Sequence, residues 1–268
     1  MGEAAQKSRA KAAIVGSEPR CIYCSSENTP DRPLTLEHMP PIGLFRDRYR
    51  LKGMEFGCCE ACNVGTKGAD IAGSVFALIS QYDAPDDWRP AAMTRLLPAL
   101  DRFAPGVRDE VMLSPRQRQW GWTPRGLVEP RIAIRAHGPL IKRYLSVFAA
   151  KIAMALYREH VGSALPLDGA VYTMHFLNAG LAQDQADSML SIMPAFGRME
   201  QGRNTSAGQF EYRYNCDNRS LLAALVSFHH NLHVMLIATS DHQTYGFISK
   251  LPNMQTTHPG ELVRRLSP

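Results

Sequence analysis

The chain has 268 residues, 45% of them hydrophobic, and carries 30 Lys and Arg against 25 Asp and Glu, a formal charge of +5. That length and apolar fraction suffice for a sizeable core, as one large domain or as a small module attached to a larger one. No run reaches the ~18 apolar residues that span a bilayer, so no membrane partner is expected and the chain reads as cytoplasmic. The basic excess is compatible with nucleic acid without demanding it. It concentrates in residues 101–160, with 11 Lys and Arg against 5 Asp and Glu, whereas residues 1–70 are close to neutral.

Residues 1–18 read as a disordered, weakly basic tail. Cys21-Ile22-Tyr23-Cys24 follows, then a polar stretch from Ser25 to Pro33 rich in turn-forming residues. Leu34-Thr35-Leu36 is a short strand, and Glu37-His38-Met39-Pro40-Pro41 ends it, because consecutive prolines can neither continue a ladder nor enter a helix interior. His38 therefore stands where a strand stops and the chain turns. A second cluster, Cys59 to Cys62, leads into Asn63-Val64-Gly65-Thr66-Lys67, and the apolar spacing from Ala69 to Gln81 is helical.

The Asp83-to-Pro90 stretch is the expected boundary, so the reading is an α+β chain with a module over 19–82 and an accessory domain over 91–268. Beyond the boundary a helix is expected over 91–103. The strongest helical stripe lies in 140–160, through Ile141, Tyr144, Leu145, Phe148, Ile152 and Leu156, with Gly162 as its stop. The period then changes. Strands are expected over 170–177, 189–193, 210–214, 232–238 and 244–249, with 221–228 either strand or helix, giving a mostly antiparallel sheet. His229, His230 and His233 read as turn or core histidines, and Phe210, Tyr212 and Tyr214 as one packed sheet face.

Five of the six cysteines fall within 42 positions. Paired Cys-x-x-Cys clusters in a chain with no secretory signal favour a metal over disulfides. Cys21, Cys24, Cys59 and Cys62 have the spacing of two knuckles that together give zinc four thiolates, a closed and therefore structural site. Cys58 is a neighbour of that set. The 34 residues between the pairs exceed a simple zinc ribbon, so something is folded between them.

Cys-x-x-Cys, Glu-His-x-Pro-Pro with Leu44-Phe45 after it, and Cys-x-x-Cys-Asn-x-Gly-x-Lys together resemble the HNH endonuclease family in its zinc-containing ββα-metal form. The resemblance covers about residues 20–70. It implies a metal-dependent DNA endonuclease or nickase, with His38 as the general base. Histidine titrates near neutrality and can take a proton from water attacking a phosphodiester. It further implies Glu37 and Asn63 as oxygen ligands of a catalytic Mg²⁺ or Mn²⁺, and Lys67 as a phosphate contact. Arg46, Arg48 and Arg50 are candidate nucleic-acid contacts.

Adjacent strand residues point to opposite faces, and the break at Pro40-Pro41 is what would let Glu37 and His38 serve one site. The pattern's middle Asn, which braces the loop behind the base, has no match: Lys52, Gly53, Met54 and Glu55 stand there. The expected partner is nucleic acid, DNA first, with the accessory domain choosing the target or forming a protein or self contact. Phage defence, restriction and mobile-element activity all agree with this reading. Two alternatives belong to other classes: a non-catalytic zinc module binding nucleic acid or protein, and a toxin-like RNase on the same scaffold.

Overall fold

The structure is a computed structural model that describes residues 12–79, 88–113, 116–122, 128–134, 138–177, 187–188 and 191–267. It is α+β with a mostly antiparallel sheet. Its N-terminal part is a two-stranded hairpin, β1 (Leu34–His38) and β2 (Glu55–Cys59), followed by α1 (Glu60–Gly65) and α2 (Lys67–Leu78). Then come α3 (Arg89–Phe103), α4 (Val107–Leu113) and a separate hairpin, β3 (Arg116–Trp122) with β4 (Val128–Ile134).

The centre of the molecule is α5 (Pro139–Val161). Its start and stop are written locally. Gly138 precedes Pro139 at the first turn, and Gly162 closes the helix at φ 87°, a left-handed conformation that costs glycine nothing. The Glu110 carboxylate, from α4, accepts from the main-chain N–H groups of Leu140 and Ile141 at 3.1 and 2.7 Å. It thus satisfies first-turn donors and places negative charge at the helix N-terminus.

One face of α5 lies on a six-stranded antiparallel sheet in the order β12 (Gln255–Thr257), β5 (Ala170–Leu177), β11 (Leu232–Thr239), β10 (Leu221–Phe228), β9 (Phe210–Cys216), β6 (Ala195–Arg198). The strand period of two shows in its core face: Leu222, Ala224, Val226 and Phe228 on β10 and Leu232, Val234, Leu236 and Ala238 on β11 are all buried. The small hairpin β7 (Glu200–Gln201) and β8 (Asn204–Thr205) follows β6.

The opposite face of α5 receives α2 at close range. A Cβ on Gly73 would come within 2.4 Å of the Phe148 ring, and one on Gly68 would meet the Tyr144 ring and the Phe103 carbonyl. The two helices approach this closely because α2 presents glycine there. The cysteine-bearing part and the sheet-bearing part accordingly share one apolar cluster running from Cys21 through Phe76 and Phe148 to Leu262. The C-terminal α7 (Leu262–Leu266) sets Val263 against Gly65 of α1, and Gly260 N–H donates to the Tyr23 carbonyl at 2.9 Å.

Several expectations change. Within the supposed disordered tail, residues 12–17 are helical and Glu18 is buried, pairing with Arg158 at 2.9 Å; residues 1–11 lie outside the described residues. The expected strand over 244–249 is instead α6 (His242–Tyr245) continued by a 3₁₀ turn over Gly246–Lys250. The Asp241 carboxylate accepts from Thr244 N–H at 3.0 Å, and that cap overrides the strand preference of Thr244, Tyr245 and Ile248. Residues 191–192 are helical, not strand, and 189–190 lie outside the described residues, as does most of the 83–90 boundary. Leu221–Phe228 is a strand. Among the described residues, no helix is long and apolar enough to cross a membrane.

Candidate functional site

The four cysteines of the paired knuckles converge. The sulfurs of Cys21, Cys24, Cys59 and Cys62 all lie within 4.8 Å of one another, the one group of metal-ligand type among the described residues. A Zn–S bond of ~2.3 Å in a tetrahedron sets sulfur–sulfur edges near ~3.8 Å, and the Cys24 and Cys59 sulfurs are 3.7 Å apart. Main-chain N–H groups of Tyr23 and Cys59 point at the Cys21 sulfur at 3.4 and 3.3 Å, the polarity that stabilises a thiolate.

Hydrogen bonds from the Cys24, Cys58 and Cys62 thiols push the Cys21 pKa far down, while contacts with Cys21 and Cys24 push Cys62 up. The cluster thus competes over negative charge, which a dication relieves. The donor set fits zinc. Cys58 stands outside it, its thiol donating to the Cys59 carbonyl at 3.4 Å and its pKa raised by the Cys21 contact and by burial.

His38 closes β1. Cross-strand pairing sets it opposite Glu55, on the same face, with its Nε2 3.7 Å from the Glu55 Oε1. The His38 side chain is 46% exposed, so a large substrate can reach it. Within the loop behind it, residues 39–54, one side chain gathers most of the carbonyls. Arg50 donates to the carbonyls of Pro40 and Leu51 at 2.9 Å, Met39 at 2.6 Å, Gly53 at 2.7 Å and Met54 at 3.1 Å. Its side chain is only 3% exposed and lies 3.7 Å from Glu55, and burial lowers its pKa to about 10, which leaves it charged at neutral pH. Arg50 therefore braces the loop that follows His38. The sequence makes Arg50 a candidate nucleic-acid contact, whereas in the structure its buried guanidinium faces inward and gives its donors to the loop's carbonyls.

Glu37 and Asn63 have partners of their own. At the end of β1 Glu37 is buried while its neighbour His38 is exposed. The Glu37 side chain, 6% exposed, accepts from the Tyr23 hydroxyl at 2.9 Å and pairs at 2.9 Å with the Lys151 ammonium of α5. The Asn63 amide donates to the Thr35 hydroxyl at 3.1 Å. One Glu37 oxygen is thus already committed to a buried ammonium, whose charge disfavours a further Mg²⁺ or Mn²⁺ on the same carboxylate.

No protein-family model, curated protein or solved structure matches the chain. The site is therefore read from its own geometry.

Of the remaining candidates, Lys67 is exposed with its ammonium 4.1 Å from the centre of the Phe103 ring, a cation–π contact within α2 and α3 rather than a group beside His38. Arg46 and Arg48 are exposed on a 3₁₀ turn (Arg46–Arg48), with Arg46 Nε 3.6 Å from Asp47. His229 binds the Leu44 carbonyl at 2.8 Å and His233 stacks on Phe176, so these histidines serve turn and packing. Phe210 and Tyr212 are buried as expected, and Tyr214 stacks on His160.

Sequence reading missed three groups. Arg50 was assigned outward, and Lys151 and Asp70 were not singled out. A cleft of about 450 Å³ between the braced loop and β6, lined by Lys52, Glu159, Phe196, Arg198 and Tyr212, was also not legible, because its walls lie more than 100 residues apart in the chain.

Proposed function

We propose that the chain is an HNH-type endonuclease that hydrolyses nucleic-acid phosphodiesters, DNA first, with His38 as the base. The observation that supports this reading is an accessible histidine at the end of a strand whose base is stapled by a four-cysteine cluster and whose following loop is braced by Arg50. His38 takes the proton as the attacking water oxygen bonds to phosphorus; the 3′ oxygen leaves with the electron pair of its bond to phosphorus and takes a proton from solvent, and the imidazolium formed is stabilised by the Glu55 carboxylate on the same face. Zinc at the cysteines has no open position, so its contribution is to hold the hairpin and α1 together. The cleft behind the braced loop is lined by Lys52 and Arg198 and by Glu159 and Glu200, with Arg198 paired to Glu200 at 2.7 Å, so Lys52 is the cation it offers a phosphate backbone.

The engagement of Glu37 with Lys151 favours a second reading, a zinc module that binds nucleic acid without cutting it. The RNase alternative uses the same base, with a ribose 2′ hydroxyl in place of water. The test is incubation of supercoiled plasmid and of structured RNA with wild type and His38→Ala, each with Mg²⁺, with Mn²⁺ and with EDTA. Cleavage that falls ~10²–10⁴-fold in His38→Ala is the expected result. Plasmid and RNA that stay intact with the wild type in every condition overturn the enzyme reading, and retention of the substrate in a gel shift then selects the binding module.

A further inference from the structure

Lys151 lies mid-way along α5 with its side chain fully buried, a position charged residues occupy only when paired. Its ammonium has three hydrogens and three carboxylate oxygens around it: Glu37 Oε1 at 2.9 Å, Asp70 Oδ1 at 2.7 Å, and Asp70 Oδ2. Tyr23 completes the enclosure, its hydroxyl on the same Glu37 oxygen and its ring centre 5.1 Å from the ammonium. Three elements thus converge on one positive charge, β1 through Glu37, α2 through Asp70 and α5 through Lys151.

In the HNH pattern the residue before the base and the residue after the last cysteine hold a divalent cation. Here the first is bonded to an ammonium and the second to Thr35. A second cation on Glu37 would sit within a few ångströms of a desolvated positive charge, where little water screens the repulsion.

We propose that Lys151 is the built-in cation of this module: its ammonium occupies the Glu37 carboxylate, one of the two groups to which the HNH pattern gives a divalent metal, and the chain binds no Mg²⁺ or Mn²⁺ through Glu37 and Asn63. The assignment takes its meaning from the HNH reading, but the claim concerns binding, so it stands or falls apart from cleavage. α5 belongs to the sheet-bearing part of the chain, so the accessory region supplies a charge that the hairpin lacks. Without α5, β1 and α2 would hold Glu37 and Asp70 near one another without a counter-ion.

The probe is Mn²⁺ titrated into the zinc-loaded full chain, followed by the electron paramagnetic resonance of free Mn²⁺ and by calorimetry. The wild type is expected to show no Mn²⁺ site tighter than about 1 mM that is lost in Glu37→Gln or Asn63→Ala. Lys151→Met is expected to gain such a site and Lys151→Arg is not, because the arginine keeps the charge. A wild-type site that weakens at least about tenfold in Glu37→Gln or Asn63→Ala overturns the proposal, as does a folded Lys151→Met protein that stays inert to Mn²⁺. Should Lys151→Met fail to fold, the comparison of wild type with Asn63→Ala decides alone, since Asn63 is half-buried and bonded only to a hydroxyl.

Discussion

Arg50→Met tests whether one guanidinium holds the loop that follows His38. The methionine keeps most of the buried aliphatic volume and removes every donor. Five carbonyls lose a partner. Gly53 is exposed and turns to water, and Met54 keeps a bond from Met39 N–H at 3.2 Å. Met39, Pro40 and Leu51 are buried, and their carbonyls are the ones left unsatisfied. At ~1–3 kcal/mol for each orphaned buried acceptor, the loss is roughly 3–9 kcal/mol. Arg50→Lys keeps the charge with fewer donors and no fork, and should lose about half of that.

Urea unfolding of the zinc-saturated protein, read by tryptophan fluorescence and far-UV circular dichroism, gives both values. Arg46→Ala, in the same loop but exposed, serves as the control and should stay within ~0.5 kcal/mol. The loop begins one residue after His38, so Arg50→Met should also impair any cleavage that depends on His38. A loss below ~1 kcal/mol in Arg50→Met would refute the bracing role.

Zinc analysis of carefully purified protein should return one ion per chain. Cys59→Ser should lose it and Cys58→Ser keep it, because only the former belongs to the converging set; content below about 0.5 per chain in the wild type would contradict the assignment. The pH dependence of stability should reveal the crowded carboxylates. Burial, and to a lesser degree the Glu37 charge, raises Asp70 from 3.8 to about 7 against the pull of Lys151. A folded-state pKa above the unfolded one means that folding takes up a proton, so this contribution is complete below 3.8 and lost as the pH rises through about 7. Wild type should therefore gain stability relative to Asp70→Asn when the pH falls from about 8 to about 5.5; a difference that is flat, or opposite in sign, would show that Asp70 is not crowded in this way.

What the amino-acid sequence determined by itself is what short-range geometry carries. Two Cys-x-x-Cys pairs place four sulfurs on tight turns wherever the rest of the chain goes, and the structure brings those sulfurs together. The helix ending at Gly162, the alternating strands of the sheet and the position of His38 at a strand end were legible for the same reason: each depends on residues within a few positions of one another. Thr244 to Ser249 misled because strand preference is weak and one carboxylate cap outweighs it.

Tertiary structure alone decided the charges. An arginine in a polar loop looks outward until the carbonyls around it are placed, and Arg50 turned inward to five of them. Lys151 lies 81 positions from Asp70 and 114 from Glu37, so no local pattern pairs them. They meet because glycines in α2 let α5 come close, and a buried ammonium must find carboxylates or not be buried at all.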